Sequence, residues 1–191
     1  MEKGLLIILS GPSGVGKGTI RSFLMEDKEI NLAFSVSMTT RKPRENEQDG
    51  RDYFFVSKEQ FLENIKNNKF LEYAQFVDNY YGTPKDFVES LINKGRNVLL
   101  EIETNGASQV MKQETDYKKV SIFLTCKNIR ELKKRIIGRN SESLDVINLR
   151  LEKAKKEFKL KKNYDYVVVN DIASRAANEI INIIKQEKLK K

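Results

Sequence analysis

The chain has 191 residues, 39% apolar and 32% charged, with 10 Gly and 3 Pro. That is enough to bury one substantial core, and it excludes a collagenous or low-complexity chain. A single cysteine, Cys126, and no histidine exclude a disulfide framework, a Ser-His-Asp triad, a Cys-His dyad and the commonest transition-metal ligand.

No apolar run approaches the ~20 residues of a membrane span. The N-terminus lacks signal-peptide organisation, so a cytoplasmic protein is expected. The net charge of +8 is concentrated: residues 127–163 carry 13 Lys/Arg against 5 Asp/Glu. Such a stretch suits a solvated helical face, a nucleic-acid footprint or a polyanionic small molecule.

Leu5–Leu9 is a continuous apolar run of strand length, as in a strand buried on both faces. A helix is predicted from about Lys17 to Met25, with Ile20, Phe23 and Leu24 on one side. Residues 34–82, rich in Ser, Thr, Tyr, Phe and Asn, break the alternation. They hold the strand-like Tyr53–Val56 and a helix capped by Ser57 with Gln60. Thr83 is placed to cap a helix over 84–93. Strands are predicted at 98–102, 120–124 and 166–170. In the basic stretch, Asn128 and Glu131 start one helix and Gly138 ends it. A second runs from about Ser143, with Leu144, Ile147, Leu151, Ala154 and Phe158 at helical spacing. A final helix over 173–189 turns Ala176, Ala177, Ile180, Ile181 and Ile184 inward. Strands alternating with helices predict an α/β fold with a mostly parallel sheet flanked by helices. It carries a mixed insert at 34–82 and a helical insert at 127–163, leaving a core of 1–33, 83–126 and 164–191.

The strongest motif is Gly11-Pro12-Ser13-Gly14-Val15-Gly16-Lys17 between the first strand and the first helix. Glycines let successive N–H groups turn inward as an anion nest, the helix adds its positive end, and Lys17 supplies a point charge. Gly18 stands where a Mg²⁺-ligating Ser or Thr is usual. Thr19 or water is left to serve the metal. A P-loop implies a nucleoside triphosphate and leaves the phosphate acceptor open.

The stretches Gly11–Lys17, Ser35–Arg44, Asp49–Phe55, Phe70–Glu72, Asn79–Pro84 and Val168–Asp171, in this order, closely resemble the guanylate kinase family. The resemblance spans Leu5 to about Asp171. It implies the P-loop nucleoside monophosphate kinase fold, and transfer of the γ-phosphate of ATP to GMP or dGMP with Mg²⁺, in purine metabolism and GMP recycling. It implies no nucleic-acid or membrane partner, and a monomer or homodimer. By resemblance, Gly11–Thr19 hold ATP phosphates while Asn170 and Asp171 approach adenine. Arg41 and Arg44, with Tyr53 and Tyr81, clamp the GMP phosphate. Glu72 reads guanine N1–H and N2–H₂, with Ser37 and Thr83 towards O6. Glu101 and Glu103 end a core strand at the ligand crevice, towards Mg²⁺ through water or towards guanine. Lys17, Arg41 and the lid arginines Arg135, Arg139 and Arg150 form the catalytic set. The remaining lysines of 127–163, Lys153 among them, are expected to be a solvated face. Lys17 is expected to be solvated without nucleotide, and the lid to stand open through self-repulsion.

Two other classes are weighed. A guanylate-kinase-like interaction module usually has a degraded P-loop and sits behind other modules, whereas here the loop is intact and only four residues precede the first strand. A P-loop kinase for another monophosphate is disfavoured by Glu72 with Ser37 and Thr83.

Overall fold

A computed structural model describes residues 2–138 and 144–190. Five parallel strands form the main sheet: β1 (Leu6–Ser10), β2 (Leu32–Phe34), β7 (Asn97–Glu101), β8 (Lys119–Thr125) and β9 (Tyr166–Val169), in the order β2-β7-β1-β8-β9. β1 is central, and all five of its residues are buried. That is why it is a continuous apolar run rather than an alternating one. β2 escapes the sequence pattern because its three residues are too few to show a period.

The two sides of β1 serve two cores. Leu5, Ile7 and Leu9 pack with Ile20 and Leu24 of α1 (Lys17–Glu26) and with Ala176, Ala177, Ile180 and Ile184 of α7 (Ala173–Leu189). Leu6 and Ile8 pack with Val88 and Ile92 of α3 (Lys85–Asn93) and with Ala107 and Val110 of α4 (Thr104–Lys112). Each of the buried Leu, Ile and Val side chains contributes about 1.5–3 kcal/mol. The result is three layers, helix on sheet on helix.

A second, four-stranded sheet lies within residues 38–84, two residues past the expected end of the insert at 82. Its order is β4 (Phe54–Phe55), β3 (Met38–Thr39), β6 (Asn79–Pro84) and β5 (Phe70–Phe76). Beside it lies α2 (Lys58–Lys66), whose N-terminal amide at Gln60 donates to Ser57 Oγ at 3.1 Å, as the capping pattern predicts. The capping role expected of Thr83 is not found. Pro84 occupies the N-cap of α3, and Thr83 lies within β6 with its hydroxyl engaged elsewhere.

The basic stretch forms α5 (Ile129–Ile137), α6 (Leu144–Phe158) and a 3₁₀ turn, Lys159–Asn163. Asn128 Oδ1 caps α5 by accepting from the Glu131 amide at 3.0 Å. Gly138 ends α5 with right-handed geometry (φ −63°), so its glycine freedom is not used there. Arg139 lies outside the described residues, as do Met1, 140–143 and Lys191. α6 is docked rather than open: Ile147, Leu151 and Ala154 are buried in the same core as β1 and α7. Buried apolar area outweighs the repulsion of lysines that remain in water and are screened over ~8–10 Å.

Candidate active site

The loop between β1 and α1 bends through three left-handed glycines, Gly11 (φ 147°), Gly14 (φ 87°) and Gly16 (φ 99°). At Gly11 a Cβ would lie 2.1 Å from the Leu124 carbonyl oxygen, and at Gly16 2.6 Å from Asn170 Nδ2. No side chain caps α1 at Gly16, which leaves its first-turn amides without a side-chain partner, and Gly16–Thr19 line the cleft. That cleft holds about 550 Å³ and is lined by Gly11, Ser13, Gly14, Gly16–Thr19, Glu101–Glu103 and Glu157.

Two fastenings hold the loop from outside. Asn170, buried just past β9, donates Nδ2 to the Val15 carbonyl at 2.9 Å, and its own amide donates to Thr125. Arg135 on α5 donates to the Val15 carbonyl at 3.2 Å and to the Asn170 carbonyl at 2.6 Å, and pairs with Glu131. Arg135 is thus a brace of the loop in this structure, not a side chain held away from it. Asp171 is exposed and pairs with Arg175. The Ile172 amide, then Arg175, hold its carboxyl below the usual range. Gly14, Gly16, Thr19, Arg135, Asn170 and Asp171 share a side cleft of about 440 Å³ next to the loop.

Lys17 is not solvated, contrary to expectation. Its Nζ donates to the Gly11 carbonyl at 2.7 Å and the Pro12 carbonyl at 3.3 Å. Burial pushes its pKa down, against the pull of Glu101, Glu157 and Glu103. The loop folds around the ammonium because its carbonyls replace water.

A second cleft of about 500 Å³ is lined among others by Ser37, Tyr53, Glu72, Tyr81, Glu101, Glu103 and Gly106. Glu101–Glu103 line both clefts and join them. Glu72 on β5 faces Thr83 on β6 in the strand register. The Thr83 hydroxyl donates to Glu72 Oε1 at 2.6 Å. Glu72 is only 8% exposed, and burial raises its pKa. A Cβ at Gly106 would stand 2.7 Å from Glu72 Oε2, so the first turn of α4 must be bare there. Gly106 carried no signal in the sequence.

Arg41 is half-buried. Its guanidinium lies over the rings of Tyr53 (5.4 Å) and Phe55 (5.9 Å). It donates to Glu47 Oε1 at 2.9 Å. Hydrogen bonding to Glu47 raises the Arg41 pKa and lowers that of Glu47. Glu47 Oε2 also accepts from the Arg44 amide at 2.8 Å. The Arg44 side chain is exposed, so in this structure the pair expected to converge is one aimed guanidinium and one in solvent. Glu47, six residues from Arg41 in a loop, has no periodicity that would reveal it.

α6 lays one face across both clefts. Arg150 donates to Ser13 Oγ at 2.8 Å, Lys153 donates to Glu103 Oε2 at 2.8 Å, and Glu157 accepts from Thr104 Oγ1 at 3.1 Å. Lys153 is therefore paired and not simply one of the solvated lysines; the Glu103 hydrogen bond raises its pKa. Positions 150, 153 and 157 share a helical face. That spacing was the available signal for Glu157, which is not among the residues predicted for the site.

The comparisons with known proteins decide the family. The guanylate kinase family model matches residues 3–187. The chain belongs to the guanylate kinase family. It is 52% identical to the guanylate kinase of Listeria innocua, covering 99% of this chain and 91% of that one. It is 50% identical to the guanylate kinase of Lactiplantibacillus plantarum, covering 98% and 90%. A crystal structure of guanylate kinase from Anaplasma phagocytophilum shares 33% identity, with a TM-score of 0.75, over 100% of this chain and 89% of that one. The enzyme is a phosphotransferase that phosphorylates GMP with ATP. The expected fold class stands: a helix-flanked parallel sheet matching a guanylate kinase structure. No helix among the described residues is long and apolar enough to cross a membrane.

Proposed function

We propose that ATP phosphates bind the P-loop cleft, Gly11–Thr19, with adenine towards Asn170 and Asp171, and that GMP binds the cleft of Glu72. Residues 34–82 serve as the GMP-binding unit, 127–163 as the lid, and the rest as the core. Phosphoryl transfer asks chiefly for positioning and charge stabilisation. Lys17, already desolvated, loses little hydration on exchanging loop carbonyls for phosphate oxygens. Arg135, Arg139 and Arg150 supply further positive charge, and docked α6 excludes water.

On the acceptor side, Arg41, Arg44, Tyr53 and Tyr81 take the GMP phosphate. Glu47 holds the place of that anion until it arrives. Ionised Glu72 accepts guanine N1–H and N2–H₂ together. Adenine offers an acceptor at N1 and leaves the carboxylate unpaired, a mismatch that can reject by ~10⁴–10⁵. Ser37 donates to O6. Thr83 acts by fixing the Glu72 carboxylate, since its proton is committed there. dGMP carries the same base and phosphate and is accepted too. Glu101 and Glu103 face both nucleotides.

Mg²⁺ fits this donor set. Glu101 Oε2 is buried without a hydrogen bond, 3.2 Å from Arg21 on α1. Among the described residues no three acidic or cysteine side chains cluster tightly enough to hold a metal alone. Mg²⁺ commonly keeps several waters and binds through one or two carboxylates plus substrate phosphates. Glu101, Glu103 and Thr19 would hold it through water, where it neutralises phosphate charge. A cytoplasmic location fits this substrate pair.

The observation that carries the assignment is Glu72, buried, held by Thr83 and facing a cleft next to the P-loop. Coupled ADP release with GMP, dGMP, AMP and no acceptor tests it on wild type and Glu72→Gln. The variant should raise KM for GMP by at least about tenfold and narrow the GMP/AMP ratio. An unchanged ratio would assign base reading to another group.

A further inference from the structure

Among the described residues, Glu157 is the acidic group that α6 supplies to the phosphate cleft; Glu101 ends β7 and Glu103 is the N-cap of α4. Glu157 is 6% exposed. Its Oε1 is satisfied by Thr104, and its Oε2 is buried with no hydrogen-bond partner. It shares the cleft with Lys17, Glu101 and Glu103. An ionised carboxylate with an unsatisfied, buried oxygen costs several kcal/mol unless a cation or donor meets it. Burial raises the Glu157 pKa, while the Thr104 hydrogen bond and the charges of Lys153 and Lys17 pull it back down.

The cleft must admit a triphosphate, yet three carboxylates line it. Their repulsion is removed by a divalent cation between phosphate and carboxylates. Oxygens too far apart to grip a bare ion suit a hydrated Mg²⁺.

We propose that Glu157 is a third acidic contact of the metal–nucleotide complex, brought to it by docking of α6, so that the lid recognises ATP with its metal rather than ATP alone. This rests on the metal reading above and extends it to the lid. The remaining groups of the face divide the labour: Arg150 reaches the loop at Ser13, Lys153 ties down Glu103, and Glu157 meets the hydrated ion. A competing role, counter-ion to Lys17, would act whether or not metal is present.

The test uses the full chain, Mn²⁺ as the paramagnetic probe, and the β,γ-methylene analogue of ATP, without GMP. Bound Mn²⁺ is read by electron paramagnetic resonance, and analogue affinity is measured separately in EDTA. Glu157→Gln keeps an acceptor for Thr104 and removes the charge. It should weaken Mn²⁺ uptake into the ternary complex by ~10-fold or more, with metal-free analogue affinity unchanged or improved. Glu157→Asp keeps the charge but withdraws it by one carbon, and should fall between; it also carries the test if the glutamine variant does not fold. Equal Mn²⁺ uptake in wild type and Glu157→Gln overturns the proposal and leaves the metal reading standing. Equal losses with and without metal overturn it in favour of the Lys17 counter-ion. A wild type that takes up no more Mn²⁺ than the analogue alone overturns it together with the metal reading.

Discussion

The P-loop cleft, proposed for the phosphate donor, and the Glu72 cleft, proposed for the acceptor, meet at Glu101–Glu103 but are made of different material. The donor side is backbone: three left-handed glycines, uncapped amides of α1, and carbonyls that hold Lys17. It is fastened by Asn170 from the core and by Arg135 from α5. The acceptor side is side chains on a small mixed sheet: Glu72 held by Thr83, Arg41 held by Glu47. A backbone site binds any phosphate of the right shape. A side-chain site can tell one base from another. On the proposed assignment, the donor half supplies power and the acceptor half supplies choice.

Four substitutions or conditions press on that division, in order of expected effect. Lys17→Met should lower kcat by about 10³ or more, some 4 kcal/mol of transition-state stabilisation. It removes a donor from the Gly11 and Pro12 carbonyls and also a desolvated charge. Those changes oppose each other, so the melting temperature should move by less than roughly 4 °C. A collapse in melting temperature would make the lysine a fold element rather than a phosphate contact.

Arg41→Lys keeps the charge and loses the planar fork that sits over Tyr53 and Phe55. kcat/KM for GMP should fall by roughly tenfold to a hundredfold, or about 1.4–2.8 kcal/mol. KM for ATP should stay put. A matching rise in KM for ATP would mean that the two halves are not separable.

The third pressure is pH. Burial raises the pKa of Glu72, so the folded protein binds that proton more tightly than the unfolded chain. The stability linked to it is full below the unfolded pKa and lost as pH rises through the folded one. Guanine recognition has the opposite sign, because it needs the ionised form. KM for GMP should therefore rise on acidification while pH is still above the ordinary carboxylate range. In Glu72→Gln that component should vanish, leaving only titration of the substrate phosphate. A profile identical in both proteins would contradict an ionised Glu72.

The smallest effect belongs to the exposed end of the basic stretch. Lys161→Gln with Lys162→Gln removes two solvated charges from the 3₁₀ turn. Activity should stay within about twofold at two salt concentrations, since such charges are screened beyond ~8–10 Å. Losses comparable to Arg150→Ala would turn the lid into a diffuse electrostatic funnel.

The same contrast explains what could be read from the residues alone. The core strands and the P-loop were legible because burial on both faces and left-handed turns constrain residue type directly: Leu6–Ser10 must be apolar or small, and Gly11 and Gly16 admit no Cβ. Two-residue strands such as β3 and β4 have no period and owe their form to neighbours in the small sheet. The residues proposed for the acceptor rest on resemblance to a family, since an arginine near a proline carries no geometric signature. What escaped was pairing across space. Gly106 beneath Glu72, Lys153 with Glu103 and the docking of α6 join segments whose sequence separation hides the contact, and Glu47 meets Arg41 within a loop that has no period to reveal it. Thr83 shows the reverse error, where a local capping pattern yields to a cross-strand partner at 2.6 Å.

The division of labour is tested most directly by titration calorimetry of Glu72→Gln with each substrate in turn. GMP affinity should fall by at least about tenfold, or 1.4 kcal/mol, while ATP affinity with Mg²⁺ stays within twofold. A loss of ATP affinity matching that of GMP, or no loss of GMP affinity at all, would contradict an acceptor half that chooses and a donor half that does not.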